Sequence, residues 1–225
     1  MKLEIVKLGR IDYGEALDIQ EKLHGMRQRG EVGDILLLLE HPPVLTLGRR
    51  GQHSNILLQI KELEKLGVRT YEVNRGGDVT YHGPGQIVGY PIMDLACHGR
   101  DVKDYVWKIE EVFIGLLKDQ YGITAYRDDG KYTGVWVDNS KITAIGIAVR
   151  RWVTMHGFAF NVNTNLEHFK WITPCGITDK GVTSLQKILG RSLDFELVNS
   201  QVAESFGRVF GMEPEEVEIK ALLRE

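Results

Sequence analysis

Between residues 12 and 29 apolar side chains recur with helical period. Tyr13, Ala16, Leu17, Leu23 and Met26 fall on one face, and Gly30 stands where a helix would stop. The pattern then changes to an apolar run at 35–39, broken by Glu40-His41-Pro42-Pro43 and followed by Val44–Leu47, which reads as two short strands around a proline-rich turn. Further extended segments are expected over 71–95 on either side of a glycine-rich loop. Asp101 opens the clearest helix, whose stripe of Val102, Tyr105, Val106, Ile109, Phe113, Leu116 and Leu117 ends at Gly122. Strand patterning returns over 132–137, 142–149 and 153–162, with a turn at Asp138-Asn139-Ser140. A last amphipathic helix is predicted over about 194–210 through Leu197, Val198, Val202, Phe206 and Phe210. Hairpin-like strand pairs mixed with a few long helices favour an α+β fold over a doubly wound parallel sheet.

Composition narrows the function. The 225 residues carry 28 Lys+Arg against 31 Asp+Glu, a net charge of −3, so no basic excess exists to neutralise phosphates and no nucleic-acid partner is expected. One domain spanning 1–225 is expected from the length. The longest purely apolar run, 35–39, falls far short of the ~20 residues that cross a bilayer, and the start MKLEIVKLGR has no signal-peptide core. Cys97 and Cys175 are the only cysteines, too few for a disulfide framework or a four-cysteine zinc site. A cytoplasmic protein without membrane attachment, metal or cofactor is the expectation. Glycine takes 25 of the 225 positions and clusters beside apolar strands, which suggests that backbone approaches a ligand.

The densest chemical signal is Arg75-Gly76-Gly77-Asp78-Val79-Thr80-Tyr81-His82-Gly83-Pro84-Gly85-Gln86. It matches neither dinucleotide nor nucleoside triphosphate loops. It reads as a loop that brings backbone N–H groups to a ligand, with His82 and Gln86 nearby. The second signal is Thr173-Pro174-Cys175-Gly176, where proline and glycine frame a thiol in a tight loop. A thiol of pKa ~8.5 needs a cationic neighbour to ionise at neutral pH, and His82, His156, His168 and Lys141 are all candidates. Cys97, in Leu95-Ala96-Cys97, reads instead as a small buried hydrophobe.

The glycine-rich segment, together with PPVLTLGRRG at 42–51, SKITAIG at 140–146, MHGFAFNVN at 155–163 and TPCG at 173–176, closely resembles the lipoate-biosynthesis octanoyltransferases of the biotin/lipoate protein ligase superfamily. The resemblance covers roughly residues 35–190. It implies a mixed, largely antiparallel sheet flanked by helices, with Cys175 as the acyl-thioester nucleophile and Lys141 as its dyad partner. It further implies a substrate pocket lined by Arg75, Gly76, Gly77, Asp78, Val79, Thr80, Tyr81 and His82, by Ala144, Ile145 and Gly146, and by Gly157, Phe158 and Ala159. The implied reaction carries an octanoyl group from octanoyl-acyl carrier protein to a lysine of lipoyl domains, those of 2-oxoacid dehydrogenase complexes and the glycine cleavage H protein. An acidic carrier would need a local basic surface, and Arg49-Arg50 and Arg150-Arg151 are the visible pairs.

Overall fold

A computed structural model of the chain describes residues 1–128, 132–173 and 180–223. The elements in chain order are β1 (Lys2–Arg10), α1 (Tyr13–Gln28), β2 (Asp34–Glu40), β3 (Val44–Leu47), α2 (Ile60–Lys65), β4 (Arg69–Glu72), β5 (Val79–His82), β6 (Gln86–Ile92) and α3 (Val102–Tyr121). They continue through β7 (Tyr126–Arg127), β8 (Val135–Val137), β9 (Ser140–Arg150), β10 (Val153–Asn161), β11 (Gly181–Val182), α4 (Leu185–Leu189), α5 (Phe195–Phe210), β12 (Glu213–Glu216) and α6 (Ile219–Leu223).

The larger sheet runs β12-β1-β2-β6-β10-β9-β8-β7, with β11 added in parallel to β9. Its pairings from β2 onward along this order are antiparallel, whereas β12-β1 and β1-β2 are parallel. Leu36, Leu38, Ile87, Phe158 and Phe160 turn to the side of α3 and α5; Ile35, Leu37, Leu39, Val88 and Ala159 turn to the side of α1. Burial on both faces explains why β2 reads as an unbroken apolar run. The smaller sheet, β4-β3-β5, encloses its own cluster of Leu45, Leu47, Leu63, Tyr81 and Ile172. The fold is α+β, as the pattern predicted.

Several local expectations change. The two strands expected around His41-Pro42-Pro43 both form, but β2 joins the larger sheet and β3 the smaller, so the prolines carry the chain between sheets. β1 is an element the pattern above did not include, although Lys2-Leu3-Glu4-Ile5 alternates with strand period; Leu3, Ile5 and Val6 are buried. The strand expected at 132–137 is confined to β8, after Gly134 at φ +130°. Cys97 is exposed, in a short 3-10 turn, and is not a core residue. Among the described residues no helix is long and apolar enough to cross a membrane.

The helices stop where their capping chemistry dictates. Asp101 caps α3 by accepting from Lys103 N at 2.7 Å and Asp104 N at 3.1 Å, and Gly122 closes it at φ +65°. Asp101→Ala should therefore lower stability by about 1 kcal/mol in urea unfolding at neutral pH, with an unchanged m-value.

Candidate active site

Two cross-strand pairs that share a face, Ala144 with Ala159 and Gly146 with Gly157, place small residues where β9 meets β10, with the Ile145–Phe158 pair between them. On a sheet otherwise built from Leu, Ile and Phe, this leaves a shallow trough. The glycine-rich segment folds over it. Gly76 N donates to Ile147 O at 2.8 Å, and a side-chain carbon at Gly146 would lie 2.9 Å from Gly76 O and 3.2 Å from Arg75 Cδ. The 48–51 turn locks the far side of the segment, since Gly48 N donates to Asp78 O, Arg49 N to Arg75 O and Arg50 N to Gly77 O. Between loop and trough lies a cavity of about 460 Å³, within the usual range for small-molecule sites.

Residues 75–80, His82, 144–146 and 157–159 all border this cavity, as does Lys141. Tyr81 does not. Strand alternation turns its ring to the other side of β5, against Phe169 and Trp171, where its hydroxyl meets His168 Nδ1 at 2.7 Å. Its place in the expected pocket is thus a correction, and His168 is engaged with it. Tyr13, Tyr90, Asn161, Tyr132 and Val182 also border the cavity; the sequence did not single them out, and only the folded chain brings them there. Arg50 borders it too, whereas Arg150-Arg151 sit at the other end of β9, about 30 Å from Lys141 at ~3.4 Å per residue.

Arg75, His82 and Gln86 of the glycine-rich segment are bonded to the protein itself. The buried guanidinium of Arg75 donates to Thr46 O at 2.7 Å, Thr46 Oγ1 at 2.9 Å and Gly76 O at 2.9 Å. Gln86 Nε2 donates to Tyr81 O and Asn161 Oδ1, so its Oε1 accepts from His82 Nδ1 at 2.9 Å and fixes the His82 tautomer. Likewise His41 Nδ1 donates to Ile11 O and its Nε2 accepts from Tyr90 at 2.8 Å. His156 adopts φ +56°, a conformation that costs a non-glycine residue about 1–3 kcal/mol; its N–H donates to Gln20 Oε1 at 3.0 Å.

These imidazoles are neutral. Burial, the largest cause in each case, pulls His41 and His156 down to about 4 and His82 to about 3. Groups so weakly basic are poor candidates for activating a thiol at neutral pH. Lys141 stands apart from them at the start of β9. Its Nζ donates to Thr133 O at 3.1 Å and lies 4.8 Å from the Trp136 ring centroid. Burial pushes the pKa of the Glu110 carboxyl up, and the Lys141 charge opposes this in part. Gly134 makes room for the lysine: a side chain there would meet Thr143 O at 2.5 Å and Lys141 Cε at 3.3 Å. Lys180 approaches the same indole at 4.4 Å and pairs with Asp128, a neighbour that the sequence did not single out. Cys175 lies outside the described residues, but the chain approaches it at Thr173 and returns at Lys180, after which Val182 pairs directly with Lys141.

The same overall fold occurs in a lipoate-protein ligase A bound with ATP, with a TM-score of 0.78, 16% identity and coverage of 100% of this chain and 93% of that one. It also occurs in a bipartite lipoate protein ligase from Thermoplasma acidophilum, with a TM-score of 0.75, 15% identity and coverage of 100% and 91%. At such identities the likeness speaks for the fold. Sequence goes further: a model of the lipoyl protein ligase A/B catalytic domain matches residues 12–207, and the chain belongs to that family. An octanoyltransferase of Caldicellulosiruptor saccharolyticus shares 62% of residues over 94% of this chain and 90% of its own length. One of Desulforamulus reducens shares 62% over 99% and 97%.

The buried histidines make stability depend on pH. Unfolded, each takes up a proton near the ordinary value of about 6.5; folded, His41 and His156 resist until about 4. The unfolded chain binds more protons in that window, so the stabilisation is complete above about 6.5 and is lost as the pH falls toward 4. The urea midpoint should fall from pH 7 to pH 4.5, and His41→Gln should make that fall shallower.

Proposed function

We propose that the cavity is an acyl-transfer site in which Cys175 stores an octanoyl group as a thioester and Lys141 moves the protons. The observation that carries this reading is the position of the Lys141 ammonium, at the border of a cavity walled by Ala144, Ile145, Phe158 and Ala159 and on the strand to which the chain returns just after Cys175. The chain is an acyltransferase of protein lipoylation, in keeping with octanoyltransferase relatives that share 48–62% of its residues over nearly its whole length.

The donor is an octanoyl thioester on acyl carrier protein. Lys141 as an ammonium favours the Cys175 thiolate. The thiolate attacks the thioester carbonyl, the bond to the carrier sulfur breaks, and the departing thiolate takes a proton from Lys141. Neutral Lys141 then removes a proton from the ammonium of the acceptor lysine, whose ordinary pKa of ~10.4 would otherwise keep it unreactive. The freed amine attacks the acyl-enzyme and forms the amide. Cys175 leaves as thiolate, and one proton passes to solvent. The acceptor is a lysine of a lipoyl domain; an archaeal ligase of the same fold has been solved in a study of that ligase and its E2 lipoyl domain. The apolar walls select chain length by burial, at ~0.8 kcal/mol per methylene.

The two residues should fail differently when replaced. Cys175→Ala should give no octanoyl adduct in intact-protein mass spectrometry. Lys141→Ala should slow both half-reactions, the second by about 10²–10⁴-fold for loss of a base. Lys141→Arg keeps the charge but cannot release a proton, so it should acylate faster than Lys141→Ala yet fail to deliver the group. Single-turnover rates check this, and normal delivery by Lys141→Arg would remove lysine as the base. Full dependence of transfer on ATP-Mg would point to a ligase instead.

Carrier docking should centre on Arg50 at the cavity. Arg50→Glu should raise the carrier KM several-fold and flatten its salt dependence, while Arg150→Ala/Arg151→Ala leaves both unchanged.

A further inference from the structure

The two stretches of chain that flank Cys175 are each fastened by a polar side chain, and both fastenings lead back to the glycine-rich segment. On the upstream side, Thr173 N donates to Asn55 O at 2.8 Å, and the neighbouring backbone pairs through Ile56 with Ile172 and Leu57 N with Trp171 O. Asn55 is itself held by its side chain, whose Nδ2 donates to Asp78 Oδ2 at 2.5 Å. Asp78 is buried, and its Oδ1 accepts from Val79 N at 2.6 Å and Gln52 N at 3.2 Å. On the downstream side, Thr183 N donates to Lys141 O at 3.0 Å and Thr183 O accepts from Asn161 Nδ2 at 3.0 Å. Asn161 Oδ1 in turn accepts from Gln86 Nε2 at 2.9 Å.

We propose that Asp78 with Asn55, and Gln86 with Asn161, are positioning residues that clamp the two ends of the Cys175 segment and so set its approach to Lys141. The inference rests on the assignment of Cys175 and Lys141 as the reacting pair. It gives the Asp and Gln of the segment a task distinct from touching substrate. Asp78 already accepts from three donors within the protein, and the Gln86 amide is spent on three partners, so both side chains are largely engaged in holding the backbone. The Gln86–Asn161 bond is buried and the Asp78–Asn55 bond half-buried, and networks of this kind hold one geometry because breaking a bond leaves a desolvated polar atom without its partner.

The Asp78–Asn55 clamp can be reversed without changing its shape. Asn55→Asp alone sets two carboxylates against each other. Asp78→Asn alone opposes two amide donors. When both substitutions are combined, donor and acceptor exchange places: the amide introduced at position 78 donates to the carboxylate introduced at position 55. The amide oxygen still receives Val79 N and Gln52 N. Each single variant should lower kcat by about ten- to a hundredfold, the scale of a small misplacement, with the carrier KM changed less than twofold. The pH midpoint for alkylation of Cys175 by iodoacetamide, followed peptide by peptide with Cys97 as internal control, should move up toward the free-thiol value of ~8.5. The double variant should recover most of both quantities. Single variants with normal kcat and midpoint, or a double variant no better than the singles, would overturn the proposal. If thermal melting shows a single variant unfolded, Asn161→Asp, which keeps the acceptor for Gln86 but loses the donor to Thr183, decides by the same two readouts. Cys175→Ala assayed in parallel separates the two ideas: if it still transfers octanoyl, the reacting pair is wrong, whereas an inactive Cys175→Ala beside a normal Asn55→Asp rejects the clamp alone.

Discussion

The hydrogen bond from Gly76 N to Ile147 O, 2.8 Å long, ties the glycine-rich segment to the edge of the trough between β9 and β10. It can form only because Gly146 has no side chain to hold the segment away. With that contact made, the cavity has a roof and Arg75 lies among the carbonyls that satisfy it. The 48–51 turn then finds the backbone oxygens it pairs with. Small residues on the sheet and glycines in the loop are two halves of one constraint: backbone must reach backbone across a space that elsewhere in the sheet is filled by Phe and Leu.

Electrostatics divides the cavity into a neutral part and a charged part. His41, His82 and His156 are buried deeply enough to stay neutral, and tautomers fixed by Ile11 O and Gln86 Oε1 make His41 and His82 structural donors and acceptors. Lys141 instead holds its ammonium against a carbonyl and an indole face, both of which stabilise a cation. The thiolate chemistry proposed for Cys175 needs a cation at the cavity border and no imidazole competing for its proton. The described side chains meet both conditions.

The fold is shared with a lipoate-protein ligase A bound with ATP, so the fold by itself does not fix the chemistry. In the present chain the segment at 173–176 carries a cysteine, and the neighbouring β11 returns to pair with the lysine strand. An acyl group that arrives already activated as a thioester needs only a nucleophile and a proton carrier.

Much of this was legible in the residues. The helices over Tyr13–Gln28, Val102–Tyr121 and Phe195–Phe210 follow from apolar period, and Asp101 marks the start of the second, signals that act within a few residues of each other. The prominence of 75–86, Lys141 and Cys175 came from motif chemistry. The separation of β2 and β3 into different sheets, the turning of Tyr81 away from the cavity and the exposure of Cys97 did not, because each depends on which distant element lies alongside. Nor could the sequence choose among His82, His156, His168 and Lys141. An imidazole is near neutrality by its own chemistry, and only burial by the folded chain lowers its basicity so far. The sequence by itself determined which chemical groups are present and the local elements that carry them. Tertiary structure decided which groups share a cavity, which are spent on holding it open, and which keep their charge, since desolvation and proximity are properties of the packed chain.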